Sequence, residues 1–204
     1  ECTPGDGTLC VGDRVPLADA SAFRAVCYPT VDGTASSVAL TGATDGVDDA
    51  ANKIVVISNY YAGCNAGRRE ASAFAWIAQT LADAHANVRF VSGLKGGSSC
   101  AGWGATYESY AENTWGVAIE QQPLTVYDDD SSLRDLLFTA PYPHPSYAIL
   151  DWNRTVRHKF VGPCCGYTSW SSCALTELEQ LNRTISGHVR ALLSELAVYE
   201  GANV

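Results

Sequence analysis

Along the chain the hydrophobic pattern changes period several times, and each change predicts an element. A polar, small-residue stretch over 42–52 ends in an unbroken β-branched run, Ile54, Val55, Val56 and Ile57. A run without alternation suits a strand buried on both faces, so a core strand is expected over 53–59. Phe74, Ile77, Ala78, Leu81 and Ala82 then recur at helical spacing and predict a helix over 66–85. Val88, Phe90 and Val91 mark a second core strand over 88–92, and the five glycines of 93–104 predict a loop. A helix follows over 105–115, with Tyr107, Tyr110, Ala111 and Trp115 toward one side. A short strand is expected over 124–127. The acidic triplet Asp128, Asp129 and Asp130 can cap a helix over 131–138, whose Leu133, Leu136 and Leu137 point inward. The segments 147–151 and 155–161, joined by the turn 151–154, predict an antiparallel hairpin. Leu178, Leu181, Ile185, Val189, Leu192 and Leu196 predict a last helix over 175–199.

The first 52 residues carry weaker patterning and read as an irregular N-terminal arm with edge elements. Residues 21–25 fit a helical turn or a strand, and Tyr28 begins an extended segment that enters a turn at Asp32 and Gly33. Residues 53–204 form the main domain, and the whole is expected to be one globular unit of α/β class. It should have a mixed central sheet flanked by helices, a helical insertion after the second core strand, and a disulfide-stapled arm.

Composition narrows the partners. Net charge is −9, from 13 basic and 22 acidic residues, and no Lys/Arg cluster forms a patch. Nucleic acid and anionic membranes are therefore poor partners, and no apolar run reaches the length of a membrane span. Eight cysteines, an even count, suit an oxidising compartment. The chain has no Met and starts at Glu1, which suggests a trimmed signal peptide. Sequons at Asn153 and Asn182 predict N-linked glycans. Together these place the protein outside the cell, as a secreted glycoprotein.

The chemistry concentrates at Cys64. It lies at a strand-to-helix turn, near the positive end of a helix dipole, with Arg68 and Arg69 in the next turn. That setting favours thiolate over thiol. His85, His144, His158 and His188 are scattered without metal-ligand spacing. The acidic triplet lacks the spacing of a calcium loop. There is no phosphate loop and no nucleophile elbow, so no metal and no cofactor is expected.

Strand, cysteine and helix N-terminus in that order resemble the redox site of the thioredoxin superfamily. Within it the chain looks most like the amino-terminal domain of selenoprotein P. The residues that carry this are Val55 and Val56, then Ala62, Gly63 and Cys64, the segment 121–127 (Gln-Gln-Pro-Leu-Thr-Val-Tyr), and the segment 147–151 (Tyr-Ala-Ile-Leu-Asp). The resemblance covers about 53–196 and implies a thioredoxin-like fold. Cys64 takes the place of the reactive selenocysteine, and Gly67 that of its partner, so the motif is a degenerate Cys-x-x-Gly. The Pro-Ser pair before 147 resembles the family's cis-proline segment. This makes Pro145 the candidate cis residue and sets His144 beside the site.

Gly67 removes the usual resolving thiol, which leaves four roles for Cys64. It acts as a monothiol, is resolved by a distant cysteine, anchors a structural disulfide, or is idle. In this fold the loop 93–104 leaves the same sheet edge as the Cys64 turn, so a structural Cys64–Cys100 bond is the favoured expectation. Cys2, Cys10, Cys27, Cys164, Cys165 and Cys173 are expected to be staples, and adjacent Cys164 and Cys165 should have different partners. The functional expectation is a structural or protein-interaction role, through self-association or as a subunit of an extracellular assembly. The alternative is an extracellular thiol–disulfide oxidoreductase or peroxidase-like enzyme using Cys64.

Overall fold

The computed structural model describes residues 8–16, 23–28, 37–39, 53–61, 64–95, 117, 122–128, 132–138, 145–164 and 174–202. Among these residues seven strands run β1 (Phe23–Tyr28), β2 (Ser37–Ala39), β3 (Ile54–Tyr61), β4 (Val88–Lys95), β5 (Leu124–Tyr127), β6 (Ser146–Leu150) and β7 (Val156–Val161). The helices among them are α1 (Asn65–Ala84), α2 (Ser132–Leu137) and α3 (Leu175–Ala202). The strands build one mixed sheet in the order β2-β1-β5-β4-β3-β6-β7.

The β-branched run places β3 at the centre because it has apolar side chains for both faces. Val55 and Ile57 pack with Val91, Ala148, Leu150 and α2 residues Leu133 and Leu137 on one face. Ile54, Val56 and Tyr60 pack with Phe90, Leu94, Tyr147 and Ile149 on the other, beneath the stripes of α1 and α3. β3 pairs in parallel with β4, from Ile54 opposite Val88 to Tyr61 opposite Lys95. Its other neighbour, β6, is antiparallel, with Asn59 opposite Ser146.

One expectation changes, and two features are added. Residues 93–95 continue β4 instead of opening the glycine-rich loop. Gly93 fits inside the strand because α2 closes on it: a Cβ there would lie 3.1 Å from Leu133 Cδ2. In the N-terminal arm, 23–28 is a strand that pairs antiparallel with β5, so the arm extends the main sheet. In β7, Val156 pairs with Leu150 but His158 pairs with Ile149, so Arg157 is an extra residue. This bulge turns Val156 to the α2 face while Phe160 packs against the α1–α3 cluster. The expected helix over 105–115 lies outside the described residues. Among them, no helix is long and apolar enough to cross a membrane.

Candidate active site

The C-terminal ends of β3 and β4 and the N-terminal end of β6 meet at one edge of the sheet, and α1 starts there. Chain direction dictates this: a parallel pair ends together, and an antiparallel neighbour begins where they end. Cys64 is the N-cap residue of α1, with extended φ −87° and ψ 117°. Its N–H donates to the Tyr61 carbonyl at 2.8 Å, which closes the turn from β3. Its own carbonyl accepts from Arg68 N–H at 3.0 Å, the first bond of the helix ladder. The side chain is half-buried and packs against the core cluster under α1.

Cys64 carries a thiol in this structure, so the expected bond to Cys100 is not made. Cys100 itself lies outside the described residues. β3 and β4 do end on the same edge, but a shared edge fixes neither the Cα separation nor the Cβ directions that a disulfide requires.

Gly67 sits in the first turn of α1, facing Cys64. A Cβ built on it would lie 3.7 Å from Cys64 Cβ and 3.5 Å from Tyr60 Cδ1, ordinary contact distances. The 3.7 Å separation lies within the Cβ–Cβ range of a disulfide, while the sequence supplies one sulfur.

Arg68 and Arg69 are half-buried on α1. Pro145 is buried directly before β6, and its carbonyl accepts from Gly162 N–H at 2.9 Å. The register carries Pro145 to the position opposite Tyr60, on the same edge as Cys64. His144 lies outside the described residues. So do Cys2, Cys165 and Cys173. Cys27 lies in β1. Cys10 and Cys164 are both disulfide-bonded. Asn153 is exposed on the β6–β7 turn, whereas Asn182 is half-buried on α3 and accepts from Ser186 Oγ at 2.9 Å.

Beneath the site lies a group with no counterpart in the sequence expectations. Glu70 is fully buried, one and a half turns along α1 from Cys64. Its Oε2 accepts from the Tyr147 hydroxyl at 2.7 Å, and Tyr147 is 3.1 Å from the Tyr60 hydroxyl. Its Oε1 accepts from Cys164 N–H at 2.6 Å. Burial pushes the carboxyl up to about 8, against the smaller opposing effects of the Tyr147 and Cys164 hydrogen bonds. Burial, with Glu70 alongside, also pushes Tyr147 above the usual phenol range. A signal for this residue was present: Glu70 stands four residues before Phe74, on the same helix face as the apolar stripe.

Elsewhere His158 and His188 stack with ring centroids 3.6 Å apart, and burial followed by His188 lowers His158. Among the described residues no group of three or more His, Cys, Asp or Glu is placed to hold a metal.

No protein-family model and no curated protein sequence matches the chain. Solved structures do. A DsbF homologue from Corynebacterium diphtheriae is 17% identical, with a TM-score of 0.51 over 88% of this chain and 96% of that one. A protein from Chlorobium tepidum described as a thiol:disulfide interchange protein DsbE is 14% identical, with a TM-score of 0.50 over 89% and 99%. A secreted Mycobacterium tuberculosis disulfide oxidoreductase homologous to Escherichia coli DsbE is 14% identical, with a TM-score of 0.50 over 87% and 100%. At these identities the likeness is one of fold, and the fold of this chain is thioredoxin-like.

Proposed function

We propose that the protein is an extracellular thiol–disulfide exchange protein that works through Cys64 as a monothiol. The observation that carries this reading is a cysteine thiol at the N-cap of α1, on the sheet edge where β3 ends, with Gly67 in the place of a second sulfur. The exchange needs no cofactor. The Cys64 thiolate attacks one sulfur of a disulfide; the S–S bond breaks, and the departing thiolate takes a proton. A thiolate from a second molecule then attacks the mixed disulfide, releases Cys64 as thiolate and leaves a new disulfide. One sulfur of the first disulfide leaves as a thiol, the external thiol takes its place in the new disulfide, and the protein returns unchanged.

The motif likeness to the selenoprotein P amino-terminal domain supports the same reading, because Cys64 stands where that family carries its reactive selenocysteine. The oxidoreductases of similar fold support thiol chemistry over a purely structural role. Disulfides at Cys10 and Cys164, together with the two sequons, support an extracellular setting.

The test is to incubate the protein with oxidised glutathione and map the adducts by mass. One glutathionyl group on Cys64, absent from Cys64→Ser and removed by added thiol, is the expected result. A Cys64 that stays unmodified while small alkylating agents reach it would overturn the proposal and restore the structural role.

A further inference from the structure

We propose that the Glu70 carboxyl is a protonation-dependent latch that seats the disulfide-bonded Cys164 segment on the helix carrying Cys64. The inference does not depend on exchange at Cys64.

The geometry is a closed set of contacts among four elements. Glu70 projects from α1. Tyr147 of β6 and Tyr60 of β3 form a hydroxyl chain on one of its oxygens, at 2.7 and 3.1 Å. Cys164 N–H, three residues beyond the end of β7, holds the other oxygen at 2.6 Å. Gly162 lies directly on the carboxyl: a Cβ added there would overlap both carboxyl oxygens. Gly162 to Cys164 is therefore the cover of a buried acid. The cover is anchored by Gly162 N–H to the Pro145 carbonyl and by Cys164 N–H to Glu70.

Protonation decides whether the cover can stay. With a proton on Oε2, the 2.7 Å contact is made by the carboxyl donating to the Tyr147 oxygen. Tyr147 then donates to Tyr60, and Oε1 still accepts from Cys164. Every group is satisfied and the interior carries no charge. Without that proton, Tyr147 and Cys164 both donate to the carboxylate, but a full negative charge is enclosed. Among the described residues the titratable groups that face it are the hydroxyls of Tyr147 and Tyr60, from β6 and β3. From α3, His188 stands behind Phe160, which stacks on Tyr147 at 5.2 Å between centroids. No cation among the described residues offsets the burial that raises this acid. The ionised form gains most from water, and water reaches it where the least structure must move. β6 and β3 are paired on both sides in the sheet, whereas the cover follows the edge strand β7. Ionisation therefore lifts Gly162 to Cys164 and exposes the Cys164 disulfide.

The test follows reduction of that disulfide by a water-soluble phosphine between about pH 6 and 9.5, a range that spans the titration. The full chain is used in a Cys64→Ser background, so that exchange at Cys64 contributes nothing. Acid quench, alkylation and mass mapping read the Cys164 peptide. Glu70→Gln is the reference, because its amide donates to Tyr147 and accepts from Cys164 as the protonated acid does. Dividing one rate by the other at each pH removes the pH dependence of the reagent. The ratio should be near one at about pH 6 and rise to about fivefold or more by about pH 9.5, with its midpoint near the Glu70 titration. Gly162→Ala, which pushes the cover off without changing charge, should be reduced faster already at the low end of the range. A ratio that stays flat across the range would overturn the latch. Should Glu70→Gln lose its cooperative fold, amide exchange in the otherwise unaltered chain decides. The Cys164 amide should exchange faster relative to the Ile149 amide as pH passes about 8, and a constant ratio overturns the proposal.

Discussion

A cysteine introduced at Gly67 would complete the site that the backbone already outlines. The Cβ separation of 3.7 Å falls inside the disulfide range of about 3.5–4.5 Å, and the helix needs no rearrangement. Gly67→Cys should therefore close a bond between Cys64 and the introduced sulfur under mild oxidation, read as the loss of two alkylatable thiols; two thiols that stay alkylatable would refute it. Glu70 gives a second prediction at this scale. Its carboxyl titrates near 8 in the fold against 4.5 in the unfolded chain, so between those values the native state holds a proton that the unfolded state has released. Stability from this group is complete below about pH 4.5 and is lost as pH rises toward 8, by at most about 1.4 kcal/mol per unit. The difference in unfolding free energy between the wild type and Glu70→Gln should shift by about 2–3 kcal/mol from about pH 5.5 to 7.5 in urea titrations, against the wild type as pH rises. An unchanged difference would place the charge elsewhere. Cys64 was legible in the sequence because a strand signal runs straight into a helix signal around it. Glu70 is hard to read there, because a charge on an apolar stripe looks like its frayed end. Only the fold brings in Tyr147, 77 residues away, to enclose it.

Elements followed the hydrophobic period closely, since α1 and α3 are long stripes and β3 is an unbroken β-branched run. Where composition pointed against packing, packing prevailed. Gly93 suggested a loop, yet the absence of a side chain is what lets Leu133 approach β4. The acidic triplet did mark a helix start. Asp128, almost fully buried, accepts from Leu133 N–H at 2.9 Å and Arg134 N–H at 3.0 Å, so one carboxylate serves two orphan donors of α2. Asp128→Ala should lower stability by about 1–3 kcal/mol, because it leaves those donors without a partner under the sheet. Asp128→Asn, which keeps one acceptor, should lose less. Chemical denaturation of the two variants checks the order, and equal losses would mean that the carboxylate is held for another reason. The bulge at Arg157 was not legible, since strand alternation alone puts Val156 and His158 on one face. It is the pairing with β6, and Arg157 reaching Asp151 at 3.3 Å and Glu195 at 2.9 Å, that separates them.

At the scale of the molecule, one sheet edge gathers the thiol of Cys64, the buried Pro145 and the cover over Glu70. A helix on one side and an edge strand on the other hold them together. The order β-α-β, then β-α-β-β-α from 124 onward, was readable from period and punctuation alone. At the N-terminal end the pattern left 21–25 open between a helical turn and a strand, because the pairing of β1 with β5 spans about a hundred residues and leaves no local trace; β2 then pairs with β1. The central claim is that this edge performs exchange with a single sulfur. The direct measurement is steady-state reduction of a glutathionylated peptide by glutathione, comparing the wild-type chain with Cys64→Ser. The account predicts turnover that needs Cys64, survives Gly67→Ala, and shows one glutathionyl group on Cys64 during the reaction. Turnover that persists in Cys64→Ser, or its absence in a folded wild-type chain with an accessible Cys64 thiol, would contradict it.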